Sequence, residues 1–276
     1  MVLSRRVDGT VLRTSPMRAL PTRRLTTRST FPSLLFVLLG FITCCGPVQA
    51  QTVEGGYRVF SPDGPAPHPG IIFMSGCSGF APSFAPKFYE RVAEQLRAQG
   101  YIVVFADYLG RRSLKSCAGT PITSKDAARD LVSAAAWLRS QPSVEQTRIA
   151  ALGWSYGGGA LLVALAEYTE EQLGFSRAIV YYPDCRSVKA WKATLPVLIL
   201  LAGNDDVAPS KQCQEAAKRS AAAAAVKVVV YPGALHAFDL SELPAKTRYP
   251  FGTIGYHPQA AAAAWEEIQQ FLRAGS

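Results

Sequence analysis

Ser155 stands in Gly153-Trp154-Ser155-Tyr156-Gly157, directly after the apolar run 148–152 and before a segment, 157–170, that reads as a helix. A serine at such a strand-to-helix corner is pushed out of the turn, and glycines two positions to either side remove side chains that would collide there. The chemistry on offer is nucleophilic attack on a carbonyl carbon, which needs a base to take the hydroxyl proton. Past residue 50 only His68, His236 and His257 could serve. His236 follows the apolar run 226–231, which brings it to the same sheet edge as Ser155. His68 precedes its strand, at the opposite end, and His257 sits at a helix start. Elimination leaves His236.

A third group must orient the imidazole and stabilise its charged form. Gly203-Asn204-Asp205-Asp206 directly follows the run 197–202, again at a strand end. Either carboxylate could serve. Asp205 is the choice, being nearer the strand, with Asp206 read as a solvated or helix-capping acid. The oxyanion of a tetrahedral intermediate needs N–H donors. Tyr156, the residue after the nucleophile, supplies one. The loop Ser75-Gly76-Cys77-Ser78-Gly79 follows the run 71–74, and its glycines let amides turn inward, so the Cys77 N–H is the second candidate.

These groups require strands that end at one edge. Apolar runs place strands at 56–60, 71–74, 101–106, 148–152, 178–182, 197–202 and 226–231. Helical spacing covers 87–99, 124–139, 157–170, 210–225 and 258–274. Strands that are apolar throughout, alternating with helices, describe an α/β domain: a mostly parallel sheet with helices on both faces. Ligands in such sheets sit at the carboxyl ends of the strands.

The first 50 residues carry a different signal. They hold seven arginines against Asp8, then the apolar stretch Phe31 to Cys45, then Val48-Gln49-Ala50 with small residues at −3 and −1. This is the pattern of a secretory leader cleaved after Ala50, with Met17 as a possible start; an uncleaved anchor helix is the competing reading. The leader accounts for +6 of the chain's net charge of +9, leaving +3 for residues 51–276. Nothing then argues for nucleic acid, and after cleavage no stable membrane insertion is expected. The remaining length suits one domain, 51–276. It holds Cys77, Cys117, Cys185 and Cys213. An even number in an exported protein suggests disulfides: 185–213 is favoured because both follow strands in one half of the domain, and 77–117 is possible. No ligand spacing suggests a metal, and no cofactor is expected.

The order Ser155, Asp205, His236, each after its own strand, is that of the α/β-hydrolases. Within that fold the sequence resembles the dienelactone hydrolase family over roughly 69–272. The similarity rests on Gly76-Cys77-Ser78-Gly79, Ala106-Asp107-Tyr108, Gly153 to Gly159, Gly203 to Asp206 with Pro209, Cys213, and Tyr231 to Phe238. The resemblance implies the triad Ser155, Asp205, His236, and the spacing to Pro209 supports Asp205 over Asp206. Family members that open dienelactones typically carry cysteine as nucleophile, whereas serine here points to broader esterase or lactone hydrolysis. Arg111 and Arg112 could meet an acidic substrate group, against the plainer reading of solvated surface arginines. The expectation is an exported serine hydrolase for a small-molecule ester or lactone; an acyltransferase, a peptidase or a non-catalytic binding protein could share the same shell.

Overall fold

The computed structural model describes residues 51–274 apart from 81, 86 and 222. The expected leader and its cleavage after Ala50 lie outside these residues. The apolar runs form the strands β3 (His68–Met74), β4 (Ile102–Phe105), β5 (Val144–Trp154), β6 (Arg177–Tyr181), β7 (Val197–Ala202) and β8 (Val226–Tyr231). A hairpin of β1 (Gln51–Glu54) and β2 (Tyr57–Phe60) extends one edge antiparallel to β4. The order β1-β2-β4-β3-β5-β6-β7-β8 is parallel from β4 to β8, the mostly parallel sheet that the sequence predicts.

Alternation along each strand divides the core in two. On one face Ile71, Phe73, Leu152 and Leu198 pack with α1 (Phe88–Arg97) and α6 (Pro258–Arg273). On the other, Ile72, Ala151, Val180 and Ile199 pack with α2 (Ser124–Arg139), α3 (Ser155–Glu167) and α5 (Ser210–Lys218). A short α4 (Glu170–Leu173) follows α3. Helix α3 buries all of its positions from Gly157 to Leu165. A helix apolar on every side has no solvent face, and this one is enclosed between the sheet and its neighbours.

Three expectations on boundaries change. Strand β5 begins at Val144 and helix α3 at Ser155, so no loop separates them. The alanine-rich helix expected over 210–225 stops at Lys218. There the Ser220 hydroxyl accepts from the Trp191 N–H, and the Ala221 N–H donates to the Trp191 carbonyl, so tertiary bonds override alanine's helix propensity. Between the run 226–231 and the helix at 258–274, where no element is expected, lies a hairpin of β9 (Thr247–Tyr249) and β10 (Gly252–Ile254).

Two disulfides, Cys77–Cys117 and Cys185–Cys213, close separations of 40 and 28 residues. Loops of that length give roughly 3–4 kcal/mol each by restricting the unfolded chain. The first joins the loop after β3 to the segment before α2; the second joins the segment after β6 to α5.

The turn from β5 into α3 is packed backbone against backbone. A Cβ on Gly157 would lie 2.3 Å from the Ser75 carbonyl oxygen and 2.6 Å from that of Met74; on Gly153 it would lie 2.8 Å from the Gly157 oxygen. These obstacles are backbone and cannot rotate away. Gly157→Ala should therefore force β3 and α3 apart and cost about 1–3 kcal/mol; urea unfolding reads the loss. An unchanged midpoint would show that the corner has slack.

Candidate active site

Ser155, the first residue of α3, has φ of 50°, a left-handed backbone unusual for a side-chain-bearing residue. Such a conformation costs on the order of 1–3 kcal/mol and persists because the glycine contacts around it leave no alternative path. Its Oγ lies 2.8 Å from His236 Nε2, and His236 Nδ1 lies 2.7 Å from Asp205 Oδ2. His236 sits five residues beyond β8 and Asp205 three beyond β7, so three strands of one sheet deliver the three groups to one edge.

The Asp205 carboxylate is buried and has its orientation fixed. Oδ1 accepts from the Val207 and Ala208 N–H groups at 2.9 and 2.8 Å, which leaves Oδ2 for the imidazole. An acceptor at Nδ1 requires that nitrogen to carry the proton, so Nε2 faces the serine with its lone pair. Asp206 is exposed, as expected of a solvated acid, and does not cap α5, whose N-cap is Pro209 without a side-chain bond. Its oxygens take the Thr253 N–H at 2.7 Å and the Thr253 hydroxyl at 3.1 Å, which pins β10 to this turn. Those bonds hold its carboxyl below the usual carboxylate range.

His257 accepts from the Ala260 N–H as the cap of α6, and His68 opens β3 opposite Val144, at the other end of the sheet from Ser155. Neither joins the cluster. Arg112 pairs with Asp130, and Arg111 lies over the Tyr57 ring. Neither borders the catalytic cavity.

Tyr156 and Cys77 both border the cavity that holds Ser155 and His236. At the second position of α3 the Tyr156 N–H has no intrahelical acceptor. The Cys77 loop comes close, since a Cβ on Gly76 would stand 3.5 Å from Ser155 Cβ. Tyr89 OH accepts from the Gly76 N–H at 2.9 Å, and Tyr108 OH donates to the Gly76 carbonyl at 2.8 Å. Burial pushes both phenols above their ordinary range, so they remain protonated. The Cys77–Cys117 disulfide and the Cys117 N–H to Cys77 carbonyl bond, 2.8 Å, fix the same loop from its other side.

One buried acid had no signal in the sequence beyond its place three residues after His236. Asp239 accepts from the Trp154 indole N–H at 2.9 Å and from Tyr182 OH at 2.5 Å. Trp154 immediately precedes the nucleophile, and the Tyr182 ring lies 4.6 Å from the His236 ring. Burial pushes the Asp239 carboxyl up to about 6, against the opposing pull of its two hydrogen bonds and of His236. Asp184 also lies near, its pKa lowered on balance: burial raises it, while the bidentate Arg186 and His236 pull it down. Among the described residues no cluster of histidine, cysteine and acidic side chains is arranged to hold a metal.

The cavity encloses about 420 Å³ above Ser155. A serine hydroxyl hydrogen-bonded to an oriented imidazole beside such a space is an arrangement that can support acyl transfer.

Comparison with known proteins places this arrangement. A "Probable dipeptidyl-aminopeptidase B" of Botryotinia fuckeliana is 29% identical over 146 residues, 50% of this chain. The chain spans about 15% of the length of that curated relative. Thermogutta terrifontis esterase 2, phosphoramylated by tabun, superposes with a TM-score of 0.59 at 16% identity, over 82% of this chain and 95% of that one. A dienelactone hydrolase-like promiscuous phosphotriesterase from metagenomic libraries gives 0.60 at 16%, over 79% and 91%. These two likenesses speak for the fold. The description that matches in sequence is the dienelactone hydrolase family, over residues 56–276, and the chain belongs to that family of ester-hydrolysing enzymes.

Proposed function

We propose that this protein is an exported serine hydrolase that cleaves a carboxylic ester or lactone through an acyl-enzyme on Ser155. The observation that carries the reading is the continuous Ser155–His236–Asp205 hydrogen-bonded chain, 2.8 and 2.7 Å, beneath an open cavity.

In the first half-reaction Ser155 Oγ attacks the carbonyl carbon while its proton passes to His236 Nε2. The carbonyl oxygen becomes an oxyanion and takes hydrogen bonds from the Tyr156 and Cys77 amides. Collapse expels the alcohol, which leaves with the proton from Nε2–H, and the acyl group stays on Oγ. Water then attacks the acyl carbon, gives its proton to Nε2, and a second collapse returns that proton to Oγ and releases the acid. The transient imidazolium is faced by the Asp205 carboxylate, with Asp184 and, above pH about 6, the Asp239 carboxylate nearby. This surrounding negative charge favours the protonated intermediate state of the base.

Two disulfides fit an oxidising compartment and support export together with the leader. Among the described residues no helix is long and apolar enough to cross a membrane. The match to the aminopeptidases favours one second reading, a peptidase on the same residues. The cavity carboxylates that would receive a peptide's amino terminus are engaged, Asp184 by Arg186 and Asp206 by Thr253, which supports the ester reading.

Ser155→Ala and His236→Ala should each remove most of the rate on p-nitrophenyl esters, with folding intact by circular dichroism, while loss of one oxyanion donor costs roughly 10²–10³-fold. A fluorophosphonate should label wild-type protein at Ser155 and leave Ser155→Ala unlabelled. Absence of label on the folded wild type would end the hydrolase reading, and turnover of a dipeptidyl p-nitroanilide in preference to esters would replace it with the peptidase.

Asp239 generates a pH test. Its folded carboxyl titrates near 6, above its unfolded value, so the native state holds a proton that the unfolded chain has released. Stability must fall as pH rises from about 4 through 6, and the cost persists above that window. Urea unfolding at pH 4 and pH 7 should show wild type losing about 2–3 kcal/mol relative to Asp239→Asn. Parallel stability profiles for the two proteins would refute the assignment.

A further inference from the structure

The β9–β10 hairpin contributes Tyr249, Phe251 and Ile254 to the wall of the catalytic cavity. It is attached on two sides: Asp206 holds Thr253, and the Tyr249 hydroxyl bonds Ser78 Oγ at 3.0 Å. Three rings follow one another along this wall. Phe84 meets Tyr249 at 5.9 Å and 65°, and Tyr249 meets Phe251 at 5.5 Å and 70°, both edge-to-face. The series ends on Phe251, which is 49% exposed. Of the large apolar side chains left exposed among the described residues, Phe251 alone borders the cavity. A ring in that place offers an unoccupied face or edge, and aromatic partners prefer such offset or perpendicular contact over a saturated group of equal size.

The charges of the cavity point the same way. Its one guanidinium, Arg186, spends Nε and Nη2 on Asp184 at 2.9 and 2.7 Å. Asp184 and Asp206 against Arg186 leave the lining with an excess negative charge. A carboxylate entering this space would meet a guanidinium already shared with Asp184 and a lining that is negative on balance. A volume of about 420 Å³ is that of a small-ligand site.

We propose that the ester accepted by this site is uncharged and carries an aromatic group, seated against Phe251 and Tyr249. The inference rests on the hydrolase reading above and specifies its substrate class.

Binding to Ser155→Ala protein separates the two. Titration calorimetry would compare benzyl acetate with cyclohexylmethyl acetate, and methyl benzoate with methyl cyclohexanecarboxylate. One of the pairs should show the aromatic ester binding about 2- to 10-fold tighter, and which pair does so identifies the alcohol or the acyl side. Adding Phe251→Leu, a change at a half-exposed position that keeps the fold, should erase that ratio while leaving the saturated ester's affinity in place. The anionic 4-carboxybenzyl acetate should bind more weakly than benzyl acetate. Equal affinities within both pairs, a preference that survives Phe251→Leu, or tighter binding of the anion would each overturn the proposal. Failure of wild type to release acid from any of these esters in a pH-stat would strike the hydrolase reading instead, and the binding ratios would still decide the aromatic wall.

Discussion

The site depends on the absence of space at one corner. Where β5 becomes α3, the backbone of Gly157 lies against the carbonyls of Ser75 and Met74, and Gly153 lies against the next turn of the same corner. Because β3 and β5 are paired neighbours, this contact also sets the distance between Ser155 and the loop that carries Cys77. The helix cannot slide, since it is buried from Gly157 to Leu165, and the serine cannot relax from its left-handed backbone without moving it. Rigid packing is thus what holds a strained residue, and the strain is what projects its hydroxyl toward the imidazole.

A second layer of bonds keeps the two halves of the site in register. Asp239 reaches from the histidine loop to the indole that precedes Ser155, and also to Tyr182, whose ring supports the imidazole. Burying a carboxyl there is costly, and two donated hydrogen bonds offset part of that cost. The Cys77 loop is held in the same redundant manner, by two tyrosine hydroxyls and a disulfide. In the proposed mechanism, amides fixed in this way would need no reorganisation when charge develops.

Much of this was legible in the residues because the signals are short-range or periodic. Apolar runs at 197–202 and 226–231 coincide with β7 and β8, and the helix at 124–139 has the boundaries its spacing and its Thr123–Asp126 capping box dictate. Asp205 and His236 were readable as a pair only because each follows its own strand. The alanine tract after Lys218 misleads for a physical reason: its propensity is local, whereas the bonds from Trp191 that end the helix come from a segment about thirty residues earlier. Asp239, Tyr89 and Tyr182 were silent because their function is to bridge elements distant in sequence. The β9–β10 hairpin is three residues per strand, too short for alternation to register.

The adjacent carboxylates of Asp205 and Asp206 show how one turn can serve two purposes. Asp205 turns inward, where two amides and the imidazole consume its lone pairs; Asp206 turns outward and takes both donors of Thr253. That second grip matters to the first, because β10 runs beside the base: Ile254 bridges His236, and the Gly255 N–H donates to the His236 carbonyl at 3.0 Å. The hairpin that presents Phe251 and Ile254 to the cavity is therefore also the one that braces the histidine backbone. The cavity wall and the His236 backbone are thus joined by one hydrogen-bonded bridge, and Asp206 grips the same strand. In the proposed reaction, substrate fit and proton transfer would therefore both draw on this one short segment.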